Sequence, residues 1–388
     1  MQTCKTIRRA VLCGAAAFAG AAGGLAGKPA ESAVESPAKG QAKVQLAILL
    51  DTSGSMSGLI EQAKTQLWSI VNTFIAAKQN GRTPFVEVAL YEYGNDGLNA
   101  ESYWLRRIQP LTRDLDRISE DLFSLRTNGG SEYCGAVIER ATGDLAWDPS
   151  PDVYKAIFVA GNEPFTQGPV DAAAACKAAI AKGVIVNTIH CGDEAAGISG
   201  GWKSGAIMAD GKFLVIDHNK AVAHIDAPQD AEIMRLNEAL NGTYVPIGET
   251  GRRRHEAQAA QDANAMGAGA NAAQGRIATK ASANYWNPQW DLVDASREDS
   301  FKWSELKEED LPEEMRDMDV EERKAYVAKK QEERVAIQKK ISELTRKRDK
   351  FVADKLKEQG ENKADTLDEV VTRTVREQAE QKGYAFKE

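Results

Sequence analysis

Regular patterning begins at residue 44. "VQLAILL" is an unbroken apolar run, the pattern of a strand covered on both faces of a parallel sheet. After the turn "DTSGSMSG", apolar positions recur at helical spacing through Leu59, Ala63, Leu67, Ile70 and Phe74, predicting a helix that closes on Gly81. "FVEVALYEYG" alternates as a strand, and "SYWLRRIQPL" is expected to pair beside it. "DLDRISEDLFSL" and "EYCGAVIERATGDL" predict short amphipathic helices, "YKAIFVAGNEP" a strand, "VDAAAACKAAIAKG" a helix and "VIVNTIHCG" a strand. Strands separated by helices imply right-handed crossovers. The expected fold class is α/β with a doubly wound, mostly parallel sheet.

Past Gly192 the alternation lapses. "GAIMADGKFLVID" predicts a hairpin turning at Asp210–Gly211, because that dipeptide tolerates positive φ. "DAEIMRLNEALNG" and "TYVPIG" predict a last helix and strand, so the α/β domain is expected over 44–248. An Ala/Gln-rich connector, helix or loose linker, occupies 249–300. It carries Trp286 and Trp290, read as an aromatic clip docking the tail onto the domain, with simple core packing preferred over a ligand cage.

Residues 301–388 form a charged helical tail. "EERKAYVAKKQEERVAIQKKISELTRKRDKFVADKLKEQ" lacks Gly and Pro and predicts a long helix. Its seam, Ile337, Ile341, Leu344 and Phe351, is thin, and Arg334 and Arg348 stand where a strong coiled coil would be apolar. "TLDEVVTRTVREQAEQKG" predicts a second helix folding back on the first. The tail is then a solvated helical hairpin or a surface for a partner.

Composition narrows the function classes. The 388 residues carry a net charge of −8, which argues against nucleic-acid binding, since phosphate neutralisation needs a basic field. The N-terminus puts Lys5, Arg8 and Arg9 before a weakly apolar Ala/Gly run. This is the layout of a signal peptide over 1–27, followed by a polar linker over 28–43. The expected product is an exported periplasmic or secreted protein with no transmembrane span after cleavage, and the arginine pair resembles a twin-arginine export signal. Cleavage would leave Cys134, Cys176 and Cys191, either with two paired or all as small buried hydrophobes.

The chemistry converges on the turn after the first strand. Carbonyl ends of parallel strands are where such sheets bind ligands, so Asp51, Ser53 and Ser55 are expected to face a crevice. One carboxylate with two hydroxyls is a hard-oxygen set of low charge, suited to Mg²⁺. A cation so held stays electron-poor and can accept a partner's carboxylate.

"DTSGSMSG" after an apolar strand, within the alternation from Val44 to Gly248, resembles the Asp-x-Ser-x-Ser motif of von Willebrand factor type A domains. Their metal-ion-dependent adhesion site has this layout. The resemblance implies a vWA fold and a bound Mg²⁺, with Mn²⁺ or Ca²⁺ as alternatives. It also implies a protein ligand presenting an Asp or Glu carboxylate. In "RTNGGSEYCGAVIERA" the resemblance makes Ser131 the completing hydroxyl, with Thr127 as the alternative. Where the family carries an Asp after a later strand, "VAGNEP" has Gly161, leaving Asn162 or Glu163 to substitute.

Two other readings compete. Ser55 or Ser57 as a hydrolase nucleophile lacks the elbow, since Met56 stands at its centre. None of His190, His218, His224 and His255 lies in a triad context. The chain is therefore read as non-enzymatic. The other alternative is a scaffold that assembles or self-associates through 301–388, with a degenerate metal site.

Overall fold

The computed structural model describes residues 42–57, 60, 69–216, 225–358 and 367–386. The expected leader, most of the linker, Leu59, Ala63 and Leu67, and His218 and His224 lie outside these. The described chain belongs to one compact unit.

Six strands form the central sheet: β1 (Lys43–Asp51), β3 (Phe85–Tyr93), β4 (Leu105–Thr112), β5 (Tyr154–Gly161), β6 (Ile185–Cys191) and β7 (Phe213–Ile216). Their order is β4-β3-β1-β5-β6-β7, with β4 antiparallel to β3 and the other pairs parallel. This is the expected doubly wound α/β sheet. Connections run one way from β1 through β3 and the other way through β5, so the switch point lies between the ends of β1 and β5.

The apolar run of β1 serves both faces. Val44, Leu46, Ile48 and Leu50 join one core with Phe74 and Tyr154, while Ala47 and Leu49 face Val137, Ile138 and Trp202 in the other. The second face is covered by α2 (Cys134–Asp144), α3 (Ala172–Ala181) and α5 (Trp202–Met208), the last preceded by the short α4 (Glu194–Ser199). On the first face α1 (Leu115–Ser124) contributes Leu115, Ile118 and Leu122.

Several expected elements differ. The helix after β1 does not run to Gly81: helical backbone covers 69–73, and Ala77–Gln79 forms a strand, β2. A tight turn with positive φ at Asn80 and Gly81 ends it. Asp210–Gly211 does turn, with φ of 53° at Asp210, but it links α5 to β7, which pairs in parallel with β6. A Cβ at Gly211 would lie 1.8 Å from the Val186 carbonyl oxygen, so the glycine serves close packing on β6. "TYVPIG" makes only a single bridge, Pro246 to Asp291, since proline has no N–H to extend a ladder.

The connector is helical, as α7 (Gly248–Gly267) and α8 (Ala270–Lys280), following α6 (Asp230–Asn241). Trp290 is buried and stacks on Tyr244 at 5.6 Å, beside Ile277 and Ile341, so it is core. Trp286 lies under the Arg297 guanidinium. After the short α9 (Leu292–Ala295) and α10 (Glu313–Arg316), α11 (Val320–Glu358) docks along α6, α8 and α9.

The final helix, α12 (Leu367–Glu380), does not fold back on α11. It packs against β7 and puts Val371, Val375 and Ala379 into the sheet core. β8 (Tyr384–Phe386) then pairs antiparallel with β2. Among the described residues no helix is long and apolar enough to cross a membrane.

Candidate metal centre

The site forms where β1, β3 and β5 end. Asp51 closes β1 opposite Tyr93, the last residue of β3, and its side chain is fully buried. The next residues turn through a short 3-10 segment, Gly54–Met56, whose apolar member Met56 anchors the turn in the core. The turn points its hydroxyls back at the strand ends. The Ser53 N–H donates to Asp51 Oδ1 at 2.7 Å, the Ser53 and Ser55 hydroxyls are 2.8 Å apart, and Ser55 donates to Asn162 Oδ1 at 3.1 Å. Asp51, Ser53, Ser55 and Asn162 are thus brought together.

Two glycines let a second loop approach. At Gly94, φ is 77°, and a Cβ there would lie 2.7 Å from Asp51 Oδ1 and 2.8 Å from Glu132 Cγ. At Gly130 a Cβ would lie 2.2 Å from the Gly94 carbonyl oxygen. Backbone therefore meets backbone, and the loop is tied down by Asn128 N–H donating to the Thr52 carbonyl at 3.0 Å. The result seats Glu132, buried at 6 % exposure, beside Asp51.

Glu132 is the residue that sequence reasoning missed. It follows Ser131 directly in the Gly-Gly loop, and that adjacency was its one signal. Ser131 itself is half-buried. The Thr127 hydroxyl is 2.8 Å from Ser57, one turn farther out. Glu163 is half-buried at the rim, and its carbonyl accepts from Trp202 Nε1 at 2.8 Å.

The glycine at 161 has a steric reason. A Cβ there would lie 2.5 Å from Tyr93 Oη, 3.1 Å from the Trp202 ring and 3.2 Å from Asp51 Oδ2. Tyr93 Oη donates to the Ala160 carbonyl at 2.9 Å, which fixes the phenol in that space. No side chain fits beside Asp51 at the end of β5.

Electrostatics make the pocket unusual. Burial raises Asp51 to about 7, only partly offset by the Ser53 N–H and hydroxyl, and Glu132 pushes it the same way. Burial also raises Glu132, with Glu163 and Asp96 adding repulsion. Among the described residues neither Asp51 nor Glu132 forms an ion pair, and Asp51 Oδ2 has no hydrogen-bond partner. An ionised carboxylate in such a place is costly without a counter-charge.

A hard divalent cation fits the donor set of the Asp51 carboxylate, the Ser53 and Ser55 hydroxyls and the Asn162 amide oxygen. Among the described residues no three His, Cys, Asp or Glu side chains cluster, so a cation here would draw on hydroxyls and the amide as well.

His190 shows no catalytic arrangement. It packs on Trp202 with ring centroids 5.6 Å apart, its pKa is lowered by burial, and its Nδ1 has no partner. Cys134, Cys176 and Cys191 are free and buried, and burial raises the Cys191 and Cys134 thiols far above their ordinary range, so they act as small hydrophobes.

No protein-family model matches the chain, and no curated protein does. Solved structures do. BatB from Bacteroides thetaiotaomicron is 20 % identical over 45 % of this chain and 90 % of its own, with a TM-score of 0.35. The SpRpn10 VWA domain is 17 % identical over 47 % and 91 %, with a TM-score of 0.36. Proximal thread matrix protein 1 from the mussel byssus, solved with a zinc-occupied MIDAS motif, is 15 % identical over 50 % of this chain and 44 % of its own, with a TM-score of 0.35. These matches cover about half of this chain.

Proposed function

We propose that this protein is a binding module that holds a divalent cation at the ends of β1 and β5 and uses it to engage a carboxylate of a protein partner. The observation that carries the reading is the fully buried Asp51 with an unpartnered Oδ2, set behind the hydroxyls of Ser53 and Ser55 at the switch point of the sheet. Asp51, Ser53, Ser55 and Asn162 would hold the ion, with Ser131 and Glu163 at the rim. Bound there, Mg²⁺ or a similar ion supplies a Lewis-acidic point toward solvent. Ser55, exposed, lies on the side from which a partner arrives.

Beside Asn162 an open cleft of about 400 Å³, lined by Glu163, Pro164, Thr166, Ser199 and Trp202, gives room for a partner's neighbouring side chains. The leader-like N-terminus favours an exported setting.

Calorimetric titration of Mg²⁺ and Mn²⁺ into chelator-stripped protein tests the first step. Binding should be present in the native chain and absent in Asp51→Ala. Glutarate added to the Mn²⁺-loaded protein should then lower its water-proton relaxation enhancement, as a carboxylate displaces water. A native chain that binds neither ion overturns the proposal, as does bound Mn²⁺ indifferent to glutarate.

A further inference from the structure

We infer that Glu132 is a direct ligand of the cation, supplying from the Gly-Gly loop the second carboxylate that position 161 cannot carry. The inference rests on the proposed cation site and goes further, because it reassigns one of its ligands.

Three observations converge. Position 161 is closed to any side chain by Tyr93 Oη, the Trp202 ring and Asp51 itself, so a carboxylate on β5 has no room. Glu132 and Asp51 flank the same point: a single added methyl at Gly94 would touch both at under 3 Å. Lastly, Ser53, whose hydroxyl meets Ser55 at 2.8 Å, donates its N–H to Asp51 Oδ1, the oxygen that faces Glu132 across Gly94, so Glu132 borders the oxygen cluster.

An acidic pair alone is no site, since two carboxylates can share a proton. The independent sign here is Asp51 Oδ2, wholly buried, without a hydrogen-bond partner and 3.2 Å from where a Cβ at position 161 would lie. The backbone has been brought unusually close, glycine against glycine, to put a second acid next to the first. A structural role would instead supply a lysine or arginine. Among the described residues none pairs with either acid.

The chemistry follows from charge count. With Asp51 and Glu132 both ionised, the protein contributes two negative charges to a divalent ion. Hydroxyls and the Asn162 amide complete the set without adding charge. Such a site holds the ion more tightly than Asp51 with hydroxyls alone, and still leaves a solvent-facing position.

The test is Mn²⁺ affinity of the full chain by electron paramagnetic resonance, for the native protein, Glu132→Gln, Glu132→Asp and Asp51→Asn, with thermal melts of each in chelator. Glu132→Gln keeps shape and loses charge, so Mn²⁺ Kd should rise by roughly tenfold or more. Its melting point in chelator should hold or increase, because a repulsive buried acid is gone. Glu132→Asp keeps the charge on a shorter arm and should fall between. Native binding lost in Asp51→Asn but unchanged in both Glu132 variants overturns this inference and leaves the proposed site standing. A native chain that does not bind Mn²⁺ overturns both.

Discussion

At the scale of single residues, Asp51 sets the pH behaviour of the metal-free protein. Its pKa in the fold is about 7, against 3.8 when exposed, because burial disfavours the charge. Between those values the folded state keeps a proton that the unfolded chain releases, so stability falls as pH rises through that window. The slope is up to ~1.4 kcal/mol per pH unit, and Glu132 adds in the same direction. Melts in chelator should therefore show a decline from about pH 4 to about pH 7 that Asp51→Asn flattens. At pH 7.5 a divalent cation should raise the melting point of the native chain and leave the variant unmoved. A native stability that climbs across this window would mean that the carboxylate ionises freely, and would remove the reason for a cation.

At the scale of elements, what could be read from sequence depended on whether a signal was local. The strand before Asp51 was legible because burial on both faces forces an apolar run, and Ser53 and Ser55 because they sit in one turn with Asp51. Asp210–Gly211 was legible as a turn but not as to what it joins, since helix-to-strand and hairpin turns need the same positive φ. Glu132 and the closure of position 161 were not legible. Both depend on contacts among β1, β3, β5 and the Gly-Gly loop that sequence spacing does not show.

The arginines on α11 show the same limit. Arg334 looked like a break in a coiled-coil seam, whereas it is buried, donating to Asp291 at 2.7 Å, to Asp294 at 2.9 Å and to the Thr243 carbonyl at 2.9 Å, with its plane 4.0 Å over Tyr244. Arg348 likewise donates to Asp230 at 2.6 Å. Arg334→Met should cost ~3–5 kcal/mol in a denaturant titration, because two buried carboxylates lose their cation. Lysine should not rescue it, lacking the planar fork that reaches both acids and the carbonyl. A loss under about 1 kcal/mol would mean that α11 is held by its apolar contacts alone.

At the scale of the whole molecule, the charged tail finishes the α/β core instead of trailing from it. Val371, Val375 and Ala379 of α12 lie in the same core as Val44, Leu46 and Phe74, and Tyr384 meets Phe74 edge-on at 6.2 Å. Polar contacts lock the same face: Tyr154 Oη donates to Gln378 Oε1 at 2.7 Å, Gln378 Nε2 to Asn187 Oδ1 at 2.8 Å, and Gln79 Nε2 to the Lys382 carbonyl at 2.9 Å. A chain ending at residue 366 would expose this apolar face and leave the Nδ2 of Asn187, fully buried on β6, without the Gln378 Oε1 it donates to, while its Oδ1 keeps the Lys212 N–H. It should aggregate or melt well below the native protein, and hydrogen exchange of the native chain should protect α12 amides as strongly as those of β1. A solvated tail predicts instead an unchanged melting point and fast exchange in α12. The distinction governs how function is assayed. If the tail is structural, loss of partner binding on deleting 301–388 reports unfolding. Only point substitutions at Asp51 and Glu132, which leave this core intact, can then assign binding to the metal centre.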